Sequence, residues 1–190
     1  MHTLKILSLT LIALFSLQGC VSLNSQALDL HPEIHTQAKL PSDIRVEIKT
    51  KDLRANKIIA SIPGTDGKNA EIVLKDTHAM LEHSAEHALE DMGVRRFYSG
   101  GFVMTLNLKK LDYQLSKQNL RTNVDLEMKL SIKVSKNGED YTGNYATHNK
   151  HSYVKTPSDA ESEKIINQLV SATMNRAFND IALIHFMKSN

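Results

Sequence analysis

Cysteine is nearly absent: Cys20 is the sole one in a chain of 190 residues. A disulfide within the chain is excluded, and with it a fold held together by bridges. An excess of one charge is lacking as well. Lys and Arg number 23 against 21 Asp and Glu, a formal balance of +2, and the signs alternate along the chain. A nucleic-acid surface would show a basic stripe; no such partner is expected. Apolar runs are missing beyond residue 17, so nothing downstream has the roughly twenty apolar residues that a helix needs to cross a bilayer. Gly64 and Gly67 sit in a dense turn signal, Pro63-Gly64-Thr65-Asp66-Gly67. They lack the ending and spacing of a phosphate loop and read as a hairpin connection. Spacing assembles no Ser-His-Asp set, and no cofactor is expected.

What is present begins at the N-terminus. A weakly basic start with Lys5 leads into an apolar stretch of about a dozen residues, which is signal-peptide length. It closes on Leu17-Gln18-Gly19-Cys20, the pattern of a bacterial lipobox: a small residue before the cut and a thiol that carries lipid. Cleavage there would remove Lys5 as the only charged residue of the leader, lowering the formal balance from +2 to +1. S-diacylglycerol and an N-acyl chain on Cys20 would supply the two or more chains that firm anchoring takes. Val21 and Ser22 follow, without the aspartate that retains lipoproteins at the inner membrane. The expected place is therefore the outer membrane, on its periplasmic face. The division is a signal peptide at 1–19, a lipidated N-terminus and tether at 20–42, and one α+β domain at 43–190. A flexible tether of that length would reach roughly several nanometres if extended. Within it, Leu28, Leu30 and Ile34 suggest an extended segment, and His31 and His35 read as solvated linker residues.

The domain opens with Ile44, Val46 and Ile48 alternating with charged residues, a half-buried strand. Strands at 57–62 and 70–74 follow. Residues 76–93 form an amphipathic helix, with Asp76 or Thr77 as cap, Gly93 at its end, and Leu81, Ala85, Ala88, Leu89 and Met92 on one stripe. His83-Ser84-Ala85-Glu86-His87 matches H-x-x-E-H, in which two histidines hold zinc and the glutamate is the base. The helix wheel turns His83 and His87 away from the apolar stripe, among Glu82, Glu86 and Glu90. A solvated face, without a zinc-dependent hydrolase site, is the preferred reading.

After Gly100-Gly101, Phe102, Met104, Leu106 and Leu108 share a face, and the phase slips to Leu111, Tyr113 and Leu115. A bulge near Lys109-Lys110 resolves the slip. Val124 to Val134 alternates strictly and reaches Asn137-Gly138, a hairpin signal. A type I′ turn there pairs Val134 with Tyr141, Leu130 with Tyr145, Met128 with Thr147, Glu127 with His148 and Asp125 with Lys150. Tyr141, Tyr145 and Tyr153 share one face, a candidate binding face more simply read as core cover against a helix. That helix starts at Ser158, with Glu161 in a capping box, and carries Ile166, Leu169, Val170, Thr173, Met174, Ala177 and Ile181. Asn179-Asp180 breaks it before a terminal apolar turn, Leu183 to Met187, expected to dock. The whole is an antiparallel sheet with two amphipathic helices on one face: strands, helix, three-stranded meander, helix.

Leu17-Gln18-Gly19-Cys20, Leu28-Asp29-Leu30-His31-Pro32, the stretch from Asn119-Leu120-Arg121 through Asn137-Gly138 to Asn144-Tyr145, and the Phe186-Met187-Lys188 ending resemble the YajG-like lipoproteins of Gram-negative bacteria. The resemblance implies an outer-membrane lipoprotein facing the periplasm and supplies no catalytic residues. The function expected is a non-enzymatic binding or accessory module of the envelope. Its partner would be an envelope protein or peptidoglycan; its oligomeric state is left open.

Overall fold

In the computed structural model, residues 25–63, 69–95 and 97–190 are described. The strands are β1 (Ser25–Leu28), β2 (Val46–Asp52), β3 (Ile58–Pro63), β4 (Asn69–Leu74), β5 (Phe102–Gln118), β6 (Arg121–Lys136) and β7 (Glu139–Tyr153). The helices are α1 (Thr77–Asp91), α2 (Asp159–Phe178) and α3 (Ile181–Ser189). The architecture is α+β. Instead of a single sheet there are two, ordered β1-β4-β3 and β2-β5-β6-β7, and each contains one parallel pair, β1 with β4 and β2 with β5. The parallel pairing of β2 arises because the chain passes through β3, β4 and α1 before β5 returns beside it. The turn at 64–67 lies outside the described residues; β3 and β4, which flank it, pair antiparallel.

The long meander follows from its alternation. Phe102, Met104, Leu106 and Leu108 of β5 are buried, and the register slips between Leu108 and Lys110, after which Leu111 and Tyr113 are buried. The bulge therefore keeps one face apolar from Phe102 to Leu115. In β6, Val124, Leu126, Met128, Leu130, Ile132 and Val134 are all buried. The opening of β5 depends on close approach: a Cβ on Gly101 would stand 2.3 Å from the Arg45 carbonyl oxygen, and Phe102 N–H donates to that same oxygen at 2.9 Å. Only glycine lets β2 come so near.

The helices cover the apolar face of the four-stranded sheet, α1 over β2 and α2 over β6 and β7. Asp76 caps α1 by accepting from Ala79 N–H at 2.9 Å, and Ser158 and Glu161 form the expected capping box on α2. Helix α3 is separate because Asp180, with extended backbone, caps it by accepting from Ala182 N–H at 2.8 Å. The break displaces Ile181 from the α2 stripe, where periodicity had placed it, to a position 82% exposed. Leu183 and Met187 dock into the core.

The largest departure from expectation is in the stretch read as a tether. Residues 25–42 do not hang free: from Leu28 to Leu40 the chain is extended, Leu28, Leu30, Ile34 and Leu40 are buried, and every odd-numbered residue from 29 to 39 is exposed. This strap runs along α1 and α2. At the ends of α1, Lys75 N–H donates to Leu28 O at 2.9 Å and Leu40 N–H to Met92 O at 2.7 Å. Along α2, Asn167 donates to His31 O at 3.0 Å, and Ser171 accepts from Glu33 N–H at 3.0 Å. Asn175 accepts from His35 N–H and donates to Glu33 O, both at 2.8 Å. Asn179 accepts from Gln37 N–H at 3.1 Å and donates to His35 O at 2.9 Å. Four residues of helix rise about 6 Å and two extended residues about 6.6 Å. The two periods match, so a polar stripe at 167, 171, 175 and 179 serves the strap as a neighbouring strand would.

Candidate functional site

Strand β7 forms one rim of the large sheet, and its geometry follows from the turn before it. Asn137 and Gly138 have φ of 53° and 86°, the two positive values of a type I′ turn. Lys136 then pairs with Glu139, and Val134–Tyr141, Leu130–Tyr145, Met128–Thr147, Glu127–His148 and Asp125–Lys150 all stand opposite one another as the sequence predicts. In such a hairpin the odd-numbered residues of β7 exchange backbone bonds with β6, and the even-numbered ones point their N–H and C=O groups off the sheet. Arg176, donating to the Ala146 carbonyl at 2.6 Å, marks that outward direction.

The three tyrosines face the helices and are partly buried. Tyr141 and Tyr145 donate to the same Asp180 oxygen, at 2.6 and 2.8 Å, while the other carboxylate oxygen caps α3. Burial works against the Asp180 charge, but the two hydroxyls and the backbone amides of Ala182 and Leu183 outweigh it and hold its pKa below the usual carboxylate value. Burial, and then hydrogen bonding with Asp180, raise the pKa of Tyr141; burial, and then the bonds with Tyr141 and Asp180, raise that of Tyr145. The Tyr145 ring lies over Gly143: a Cβ there would stand 2.0 Å from its hydroxyl oxygen. Tyr141 and Tyr145 thus tie β7 to α3 with their polar ends turned inward. Tyr153, further along, borders a shallow surface depression with Val154, Lys155 and Glu161.

The opposite face of the sheet is polar and charged. Glu127 receives Lys110 at 2.5 Å and Lys129 at 2.9 Å, and these hydrogen bonds pull its carboxyl down to about 2. Asp125 contacts His148 at 2.5 Å and Lys150 at 3.3 Å, and Lys133 contacts Asp140 at 2.6 Å. Asp125 is held below its ordinary value, first by the His148 hydrogen bond and, against some desolvation, by Lys150. Except for Lys129, which shares β6 with Glu127, these are cross-strand pairs, and they stand on solvated ground where water and salt screen them.

His83 and His87 are exposed on α1, as the helix wheel requires, and Glu86 is half-buried beside them. They line a cavity of about 480 Å³ between α1 and the strap, together with Asp29, His31, Lys75 and Asp76. His87 stands 4.0 Å from Asp91. Among the described residues, no group of three His, Cys, Asp or Glu side chains converges to hold a metal ion. Cys20 and its lipobox lie outside the described residues.

Sequence reasoning passed over two features. The Asn167-Ser171-Asn175-Asn179 stripe is visible as polar residues four apart beside the apolar face of α2. Arg54, 6% exposed, grips Asp52 with two bonds at 2.9 and 2.8 Å and donates to Thr77 at 3.1 Å. Burial opposes the Asp52 charge, yet Arg54 and Lys57 hold its pKa far below the carboxylate range. The sequence signal was only an Asp and an Arg two apart in a turn.

Fold and surface together define an α+β domain with one helix-covered sheet face, one polar sheet face and, among the described residues, an unpaired rim at β7. A family model described as "Uncharacterized lipoprotein" matches residues 32–188. The chain belongs to this family of lipoproteins. It is similar in fold to the crystal structure of a Xanthomonas campestris protein, at 14% identity and a TM-score of 0.59, over 86% of this chain and 98% of that one. Looser likenesses are a minor lipoprotein from Acinetobacter baumannii (10% identity, TM-score 0.42, 80% and 94% covered) and rare lipoprotein B from Shewanella oneidensis (11%, 0.37, 70% and 87%). None of the curated proteins matches the chain.

Proposed function

We propose that this lipoprotein is lipidated at Cys20, held at the periplasmic face of the outer membrane, and acts there as a non-enzymatic binding or accessory module of the envelope. The observation that carries the reading is Leu17-Gln18-Gly19-Cys20 set directly before a domain of the lipoprotein family. No helix among the described residues is long and apolar enough to cross a membrane, so the lipid is the natural means of attachment. Val21 and Ser22 favour the outer membrane. The module reading is supported by the outward direction of His83 and His87 and by a broad face of cross-strand ion pairs, which suits contact with a polar envelope protein or with peptidoglycan. The decisive experiment is Cys20→Ser, with palmitate labelling and density separation of membranes. Loss of label and release from the outer-membrane fraction are expected; a variant that still sediments with membranes refutes the anchor. Photo-crosslinkers at Asp125 and Lys150 test the polar face, where a single captured envelope protein or cell-wall fragment is expected.

A further inference from the structure

Strand β7 is unusual as an edge. It pairs with β6 at every position from Glu139 to Tyr153 without a register shift, and among the described residues nothing pairs with its far side. Edges are ordinarily blunted by charged side chains, proline, bulges or covering segments. β7 carries its charges near its two ends, has no proline and no bulge, and among the described residues only the Ala146 carbonyl is covered, by Arg176. A carbonyl accepts two hydrogen bonds, so even that group keeps a free lone pair. The outward backbone groups of Asp140, Thr142, Asn144, Ala146, His148, Lys150 and Ser152 form a long ladder awaiting a strand.

The charges along β7 say which strand. Its first residues, Glu139 and Asp140, are acidic, and its later ones include His148, Lys150 and His151. An antiparallel copy of the same strand reverses that order and sets each acidic end against a basic one. An edge with even-numbered groups outward can bond only even to even. Within that constraint, one register places Asp140 opposite Lys150 of the second copy, Thr142 opposite His148, Asn144 opposite Ala146 and Glu139 opposite His151, with Tyr145 on the two-fold axis. Every charged match occurs twice by symmetry. On the helix side the partly buried Tyr141 and Tyr145 would gain cover from the facing strand. Within each chain Asp140 and Lys150 already have exposed partners, Lys133 and Asp125, so the new contacts extend an existing ribbon of alternating charge.

We propose that β7 is the homodimer interface of this lipoprotein, pairing antiparallel with β7 of a second copy to join two four-stranded sheets into one. The inference rests on reading the domain as a binding module and is independent of the lipid anchor.

The test uses the full lipidated chain. Sedimentation in detergent is expected to give a dimer. Thr142→Pro removes an N–H that points away from β6, so the variant should keep its circular dichroism and melting temperature while becoming monomeric. Asp140→Lys is expected to weaken the dimer about tenfold, and adding Lys150→Asp to restore it. With the single natural cysteine acylated, an Asn144→Cys/Ala146→Cys chain should form a covalent dimer on oxidation in membranes, and Asn144→Cys alone should not. A monomer in detergent with no bridged dimer in membranes overturns the proposal, as does a dimer that Thr142→Pro leaves intact. Neither result touches the anchor, which Cys20→Ser reads separately.

Discussion

Single side chains fix the joints of this molecule. Asp180 is an acceptor for two tyrosines and the cap of α3 at once. Asp180→Asn keeps a capping oxygen but loses the charge, and is expected to destabilise by about 1.5–3 kcal/mol at neutral pH, the scale of a hydrogen bond to a charged group. Chemical denaturation measures it. The lowered pKa of Asp180 sets the sign of the pH effect: its stabilisation is complete above its ordinary value of 3.8 and fades as pH falls toward the folded value. Glu127 adds a smaller contribution of the same sign between 4.5 and about 2, because its two lysines are solvated. Melting temperature should therefore stay level from neutral pH to about 5 and drop below it, with a shallower drop in Asp180→Asn. Arg54→Ala leaves the half-buried Asp52 carboxylate with Lys57 as its remaining partner and should lose about 1.5–3 kcal/mol, the scale of a hydrogen bond to a charged group. None of these joints was legible beforehand, because each is made by residues whose meeting depends on the tertiary fold. Tyr141 and Tyr145 were recognised as helix-facing from their parity alone; their common acceptor was not.

At the level of elements, local chemistry left a clear imprint. The Leu108–Lys110 bulge, the Asn137-Gly138 turn and the Ser158–Glu161 box follow from residue types within a few positions, and the observed registers agree with them. What was missed is the strap, whose partner is a helix stripe more than a hundred residues away. Its alternation was visible, but an extended segment interrupted by Pro32 and ended by Pro41 reads equally as a linker. Asn175→Ala breaks two strap bonds and should destabilise by about 1–3 kcal/mol, with faster amide exchange at His35 as the local readout. Removal of residues 20–42 is the stronger test. The four buried side chains of the strap each contribute about 1.5–3 kcal/mol, comparable in sum to the whole stability of a domain. A chain beginning at residue 43 should fail to give a cooperative melt.

Across the whole molecule, the two faces of the large sheet have opposite characters. The helix-covered face holds the core, and the other remains a lattice of lysines and carboxylates. Strand order within the meander could be read from its hairpins; the split into two sheets could not, since parallel pairs such as β1–β4 and β2–β5 have no turn to announce them. The polar face predicts behaviour in salt. Raising ionic strength should loosen any partner held there, and substituting Lys110 and Lys129 together should do the same while shifting the melting temperature little, because exposed pairs contribute at most about 1 kcal/mol each. Pull-down at two salt concentrations measures this.

The strap would also decide how the domain bears a tug from a lipid on its N-terminal side. From Cys20 to Ser25 the chain can span no more than about 17 Å, so a lipid on Cys20 would moor the domain close above the bilayer. Tension entering at Ser25 reaches first the parallel pairing with β4 and then the row of side-chain bonds along α2. A pull directed along the strap loads that row in shear, all rungs together, whereas a pull across it would open them one at a time. With such a lipid in place, the strap would act as a mechanical clamp, and the direction of drag would determine whether it holds.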